Sequence, residues 1–260
     1  MRYIKNKNIK NILLGSIPFV FLIVLWQLIY VFQWVPHWML PSPLLVLKEF
    51  YKLLIDGTLF RLLFISMKNA IPAFILALIT SILLGILIGV NKTFRKIISP
   101  FLGAIYLVPS LAWIPFIILF FGFTRETIWI VIFISAFMKM IYSTISGVRN
   151  VNPNWILAAK NIGLSKFKII LKVILPGALP EIMTGIRLGF GSAWRSLVGA
   201  EMLISIFGGL GKFIWTAQWT FSFDKVLIGI FLIAIIGLIM EELVFKKIEK
   251  ATLVKWGNIS

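Results

Sequence analysis

The 260-residue sequence predicts an all-α, polytopic membrane protein with six transmembrane helices. Three observations carry this. Apolar residues make up 60% of the chain, charged residues 13%, and mean hydropathy is +1.00. A soluble domain holds about 25% charged residues, and one of this size cannot hide so much apolar surface in a single core. Uncharged runs of 22 residues recur along the chain, each long enough to cross a hydrocarbon layer of about 30 Å. The net charge of +17 is spread unevenly around those runs. In a soluble protein such a charge would suggest nucleic acid; here a membrane comes first, because basic residues collect in cytoplasmic loops. The composition excludes disorder. With no cysteine and one histidine, His37, it also excludes a disulfide scaffold, a thiolate or histidine metal cluster and a histidine-based triad.

The expected spans are about 12–33, 69–90, 99–122, 127–148, 181–206 and 224–245, and the whole chain, 1–260, reads as one transmembrane domain. The first is longer than a signal-peptide core, and Trp34-Val35-Pro36-His37-Trp38 after it holds no cleavage site, so it is expected to stay as a helix. The third contains Pro100, Pro109 and Pro115. Pro109 and Pro115 are expected to kink it, and the freed carbonyls either line a cavity or simply pack. Gly85-x3-Gly89 and Gly185-x3-Gly189 permit close helix packing, within the chain or between copies.

Sidedness follows from the cations. Sixteen fall in segments 1–11, 91–96, 149–181 and 241–260: Arg2, Lys5, Lys7 and Lys10; Lys92, Arg95 and Lys96; Arg149, Lys160, Lys166, Lys168 and Lys172; Lys246, Lys247, Lys250 and Lys255. Seven fall on the other side, which places both termini in the cytoplasm of a multi-pass cytoplasmic-membrane protein.

Two loops are long. The outer one predicts an amphipathic helix over 43–56, with Ser42 as N-cap, Pro43 at the first position and Gly57 past the end. Lys48, Glu49, Lys52 and Asp56 share one face; the helix reads as a contact surface for an external partner or as a connector resting on the membrane. The inner loop, 149–180, predicts a helix over Trp155–Ile162, a break at Gly163, and a second helix over Lys166–Ile174 capped by Ser165 and ended by Pro176 and Pro180. A helix–glycine–helix unit projecting from a bundle is a docking shape, although an ordinary basic loop has the same composition.

This inner loop reads A-A-x3-G-x9-V-x-L-P on Ala158-Ala159, Gly163, Val173 and Leu175-Pro176. It resembles the "EAA" loop of ABC importer permeases, E-A-A-x3-G-x9-I-x-L-P, which lies between two late transmembrane helices. Leu157 stands where glutamate is usual, and Val173 replaces isoleucine. Further stretches are similar to the nitrate/sulfonate/taurine-type subgroup: LPSP at 40–43, VPSLAWIPFIILFFG at 108–122, and GIRLGFGSAWRSLVGAEML at 185–203 followed by GLG at 209–211. The resemblance covers about residues 36–256. It implies a type I importer-like fold with a coupling loop between the fourth and fifth helices. It implies a pair of permeases, usually identical, two ATPase subunits docked on Leu157, Ala158, Ala159, Gly163, Val173, Leu175 and Pro176, and a solute-binding protein outside. ATP and magnesium would sit on the ATPase, with no cofactor on this chain, no enzymatic activity of its own and no nucleic acid. The nearest string to a P-loop, Gly211-Lys212-Phe213, lacks the Ser/Thr and the upstream glycine. The subgroup's solutes are small anions such as nitrate, sulfonates and taurine, and also vitamin precursors.

Charges inside spans mark pathways or partners. Arg187 and Arg195 are eight residues apart and lie within about 80° of each other on a helix, with Gly191 between them. Glu201 falls near the opposite face, and Lys139 lies mid-span in the fourth helix. These four either line an anion-tolerant translocation path or pair structurally with other helices or a second copy. A stand-alone secondary transporter or channel is the competing class; it predicts internal repeats. A membrane enzyme would need clustered acids or histidines.

Overall fold

In the computed structural model, residues 2–204 and 206–248 are described, with side chains from Ile17 onward. Lys250 and Lys255, counted above among the cytoplasmic charges, lie outside the described residues, as do the side chains of Arg2, Lys5, Lys7 and Lys10. Every regular element among the described residues is helical. In chain order they are α1 (Arg2–Val31), α2 (Pro43–Ile55), α3 (Thr58–Val90), α4 (Lys92–Leu107), α5 (Ile114–Phe121), α6 (Arg125–Asn150), α7 (Pro153–Asn161), α8 (Lys166–Ile169), α9 (Leu175–Ile204), α10 (Leu210–Trp219) and α11 (Phe223–Ile239). Four helical stretches are long and apolar enough to cross a bilayer: Thr58–Val90, Arg125–Asn150, Lys166–Ile204 and Phe223–Ile248. The pair Lys92–Leu107 and Ser110–Phe121 makes a fifth if counted as one span. In α1 the apolar stretch with described side chains is Ile17–Val31.

Several elements differ from the sequence expectation. The third span is two helices bent by 91°, not one kinked rod. Val108 is extended, as a residue before proline must be, so Pro109 breaks the helix and a 3₁₀ turn over Ser110–Trp113 redirects the chain. Pro115 starts α5 rather than kinking it. The 91–96 connector is already helical: Asn91 accepts from the Phe94 N–H and opens α4. Pro176 and Pro180 do not end the inner-loop helix, which runs unbroken from Lys166 to Ile204. A π turn over Ile170–Ile174 widens the ladder just before Pro176, where the ring would otherwise press on the carbonyl of Lys172. The helix carrying the second span begins at Thr58, not residue 69. Helix α10 had no counterpart in the sequence reading. The outer helix formed as expected: Ser42 accepts from the Leu45 N–H at 3.2 Å, and Gly57 ends it at φ +75°.

The chain divides into two compact units. The first comprises Met1–Phe60 and Phe213–Phe231. In it, Trp26 donates from Nε1 to the Pro41 carbonyl at 3.0 Å. Trp38 meets the rings of Phe221 and Phe223, and Lys225 lies 3.8 Å from Glu49.

The second unit, Arg61–Lys212 with Leu232–Ser260, is built around α6. Hydrophobicity does not hold helices together in lipid; close packing does. Both glycine pairs serve it within the chain. A Cβ added at Gly85 would lie 2.6 Å from Thr144 Cβ, and one at Gly89 2.5 Å from Val148 Cγ1, so α3 lies tight against α6. On the other side, Gly185 faces Ser143 and Gly189 faces Met140, at 2.5 and 2.7 Å from an added Cβ, which seats α9.

One polar cluster ties this unit together. Glu201 on α9 is fully buried. Ser66 Oγ and Asn69 Nδ2 of α3 donate to its carboxylate at 2.9 and 3.0 Å, and the Gly211 N–H at the start of α10 donates at 3.0 Å. Ser66 Oγ in turn accepts from the Leu210 N–H at 2.9 Å. Gly209 turns at φ +108°, and an added Cβ would strike the Glu201 carboxylate, so only glycine fits that turn.

Two stability tests follow, each read as thermal unfolding of the detergent-purified chain. Gly185→Ala should cost about 1–3 kcal/mol by forcing α9 off α6, whereas Gly103→Ala, whose Cβ would meet only Tyr142 Oη at 3.7 Å, should be neutral or stabilising; equal effects would refute the seam. Glu201→Ala strands three buried donors and should cost about 3 kcal/mol or more, with Glu201→Gln falling between it and the wild type.

Candidate functional site: a cation-lined cavity and the inner-loop corner

The break at Pro109 shapes a cavity of about 310 Å³ within the second unit. It is lined from α4 by Tyr106, from the break by Val108, Pro109 and Ser110, from α6 by Ser135 and Lys139, and from α9 by Ser192, Arg195 and Ser196. Four of its hydroxyls form a chain: Ser110 to Ser196 at 2.8 Å, Ser196 to Ser135 at 2.8 Å, and Ser135 to Ser192 at 2.7 Å. The tight α6–α9 seam brings the serines within reach. Lys139 donates from Nζ to Tyr106 Oη at 2.7 Å and sits 4.4 Å from the centre of that ring. Among the described residues Arg195 has no ion-pair partner, and no acid lines the cavity. Two cations and four hydroxyls in one recess can hold a small oxyanion: the cations supply charge, and each hydroxyl can turn its proton toward the guest.

The sequence-derived charges therefore separate. Arg195 and Lys139 meet at the cavity. Arg187 does not; its guanidinium pairs with Glu241 in the π turn Met240–Phe245 that continues α11. Glu201 is enclosed by Ser66, Asn69 and Gly211, away from the cavity lining. The serines and Tyr106 were missed by sequence reasoning. Their signal was present: Ser192, Arg195 and Ser196 recur at i, i+3 and i+4 on one face, as Ser135 and Lys139 do at i and i+4.

The inner loop forms as a compact corner. Asn152 caps α7 by accepting from the Asn154 N–H at 2.9 Å. Gly163 turns at φ +78° with open space around it. Below, Val148, Val151, Ala159, Ile169, Ile174, Ala178 and Ile182 form a buried cluster against which Val173 and Leu175 also pack. Ala159, expected to face a partner, is thus turned into its own bundle, because neighbouring helical residues point about 100° apart. Leu157, Ala158 and Ile162 are exposed, together with Trp155 and Phe167. Half-buried Pro176 continues the helix behind this corner.

Comparisons with known proteins place the chain in a family. Residues 81–245 match the family described as binding-protein-dependent transport system inner membrane component. The chain is 34% identical over 225 residues to the taurine transport system permease protein TauC of Escherichia coli (strain K12), covering 85% of this chain and 82% of that one. It is 32% identical over 248 residues to the nitrate import permease protein NrtB of Leptolyngbya laminosa, covering 92% and 87%. Its fold matches a chain of the MetNI methionine ABC transporter in inward-facing conformations with a TM-score of 0.64 at 15% identity, over 76% of this chain and 97% of that chain. The stand-alone transporter reading gives way to the importer reading on these grounds. The chain belongs to the family of inner membrane components of binding-protein-dependent transport systems: it is an integral membrane permease subunit of an ABC importer, a non-enzymatic transport component that works with an ATPase and a solute-binding protein.

Proposed function

We propose that this permease translocates a small oxyanion, of the sulfonate, taurine or nitrate kind, and that Arg195 and Lys139 attract it along the path. The observation that carries this is the cavity, in which two cations and four linked serines meet with no acid among the described lining residues. Arg187 and Glu201 serve the path indirectly, by holding the helices that frame it.

In this reading two identical copies pair in the membrane, each with six spans and both termini in the cytoplasm. Each copy docks one ATPase subunit, which holds ATP and magnesium, while this chain carries no cofactor. The exposed apolar corner at Trp155, Leu157, Ala158 and Ile162 is the docking face, and Gly163, Val173, Leu175 and Pro176 keep it rigid. The helix from Lys166 to Ile204 runs from that corner past Arg195. It can thus act as a lever between nucleotide-driven motion and the cavity, rocking the path between inward-open and outward-open states.

Two outcomes test this in proteoliposomes containing the permease, its ATPase and its binding protein. Arg195→Gln and Lys139→Gln should each lower oxyanion uptake about tenfold or more while the ATPase still co-purifies. Gly163→Asp should abolish co-purification of the ATPase without emptying the membrane of permease. Full uptake in Arg195→Gln would remove the oxyanion reading and leave the importer assignment standing.

A further inference from the structure

A second and larger cavity, about 770 Å³, opens at the other side of the docking corner. Its walls are the last residues of α3, the start of α4, the end of α6, and one face of α7 and α8. Five cations line it: Lys92, Arg95, Arg149, Lys160 and Lys166. No acid is among the described lining residues. Arg95 is fixed, donating from Nη1 to the Gly89 carbonyl at 2.9 Å. Among the described residues none of the other four is held in an ion pair. The floor is apolar, with Val148, Val151, Ile156, Ile169, Ile170 and Ile174. The general excess of cations on one side of a membrane protein accounts for their number. It does not account for five of them converging on one recess with an aliphatic floor.

We infer that this cavity binds an anionic phospholipid, its phosphate held by Lys92, Arg149, Lys160 and Lys166 and its glycerol and first acyl carbons lying on the isoleucine and valine floor. The recess sits where α3 and α6 end, the depth at which headgroups lie. A soluble phosphate would match the cations but leave the apolar floor uncovered. The ATPase would hold a different part of α7: Pro153, Ile156 and Lys160 line the cavity, whereas Trp155 and Ala158 project from the opposite side, and exposed Leu157, next to Pro153 and Lys160 around the helix, borders the two. Lipid and ATPase would therefore grip the coupling corner from two sides, and a headgroup bridging α4 to α7 and α8 would stiffen it.

The test is native mass spectrometry of the full-length detergent-purified permease titrated with dioctanoyl phosphatidylglycerol, with dioctanoyl phosphatidylcholine, and with inorganic phosphate. Each cation near an anionic headgroup contributes about fivefold, so wild type should prefer phosphatidylglycerol over phosphatidylcholine by more than about tenfold. Lys92→Gln and Lys160→Gln, both at exposed side chains, should each lower that preference several-fold. The combination with Arg149→Gln and Lys166→Gln should abolish it. Lys48→Gln with Lys52→Gln, on α2, should leave it unchanged, and the permease–ATPase complex should keep the bound lipid. The inference is overturned by equal retention of the two lipids, by a preference that survives the fourfold substitution, by displacement of phosphatidylglycerol with millimolar phosphate alone, or by loss of the lipid when the ATPase binds.

Discussion

The Glu201 carboxylate, buried among apolar helices, constrains much of what surrounds it. An ionisable group taken out of water must be met by hydrogen-bond donors, and these come from two places far apart in sequence: Ser66 and Asn69 on one helix, and the backbone of Gly211 after the Gly208–Gly209 turn. Satisfying it therefore sets the position of α3 against α9 and the path of the chain into α10. The glycines follow from the same demand, since a side chain at Gly209 would occupy the space of the carboxylate. A charge that the sequence left open between a pathway and structural pairing is held here by donors from two other parts of the chain.

With the frame pinned, small residues set its tightness. Gly85 and Gly89 on one flank of α6 and Gly185 and Gly189 on the other allow backbones to approach closely. That approach links hydroxyls of α6 and α9, and the break before Pro109 adds Ser110. The cation-lined cavity is thus a product of packing and of one proline, rather than of any contiguous motif. The same continuous helix leaves the inner-loop corner at Lys166, passes two prolines with the help of a π turn, and carries Arg195 and then Glu201.

Much of this was legible in the sequence, for local reasons. Burial in lipid is nearly additive along a helix, so hydropathy placed the main apolar stretches. Caps act over three or four residues, so Ser42 and Gly57 bounded the outer helix and Gly163 broke the inner one. The Ala-Ala-x3-Gly pattern marked the inner helix–glycine–helix loop and pointed to the family, although one of its alanines packs inward.

Other features depended on neighbours. Pro109, Pro176 and Pro180 have the same covalent restriction, yet the first follows an extended Val108 at a 91° bend, while the other two lie inside a continuous helix that widens into a π turn just before them. Arg187, Arg195, Glu201 and Lys139 are all costly charges in apolar segments, and nothing in their own spacing tells which is met by a partner and which faces a cavity. What the sequence by itself determined was the solvent, the helical class, the local caps and the family. What only the tertiary structure decided was which charges are satisfied by a partner and which face a cavity, because the energy of a buried polar group resides in the donor or acceptor opposite it, and that partner comes from elsewhere in the chain.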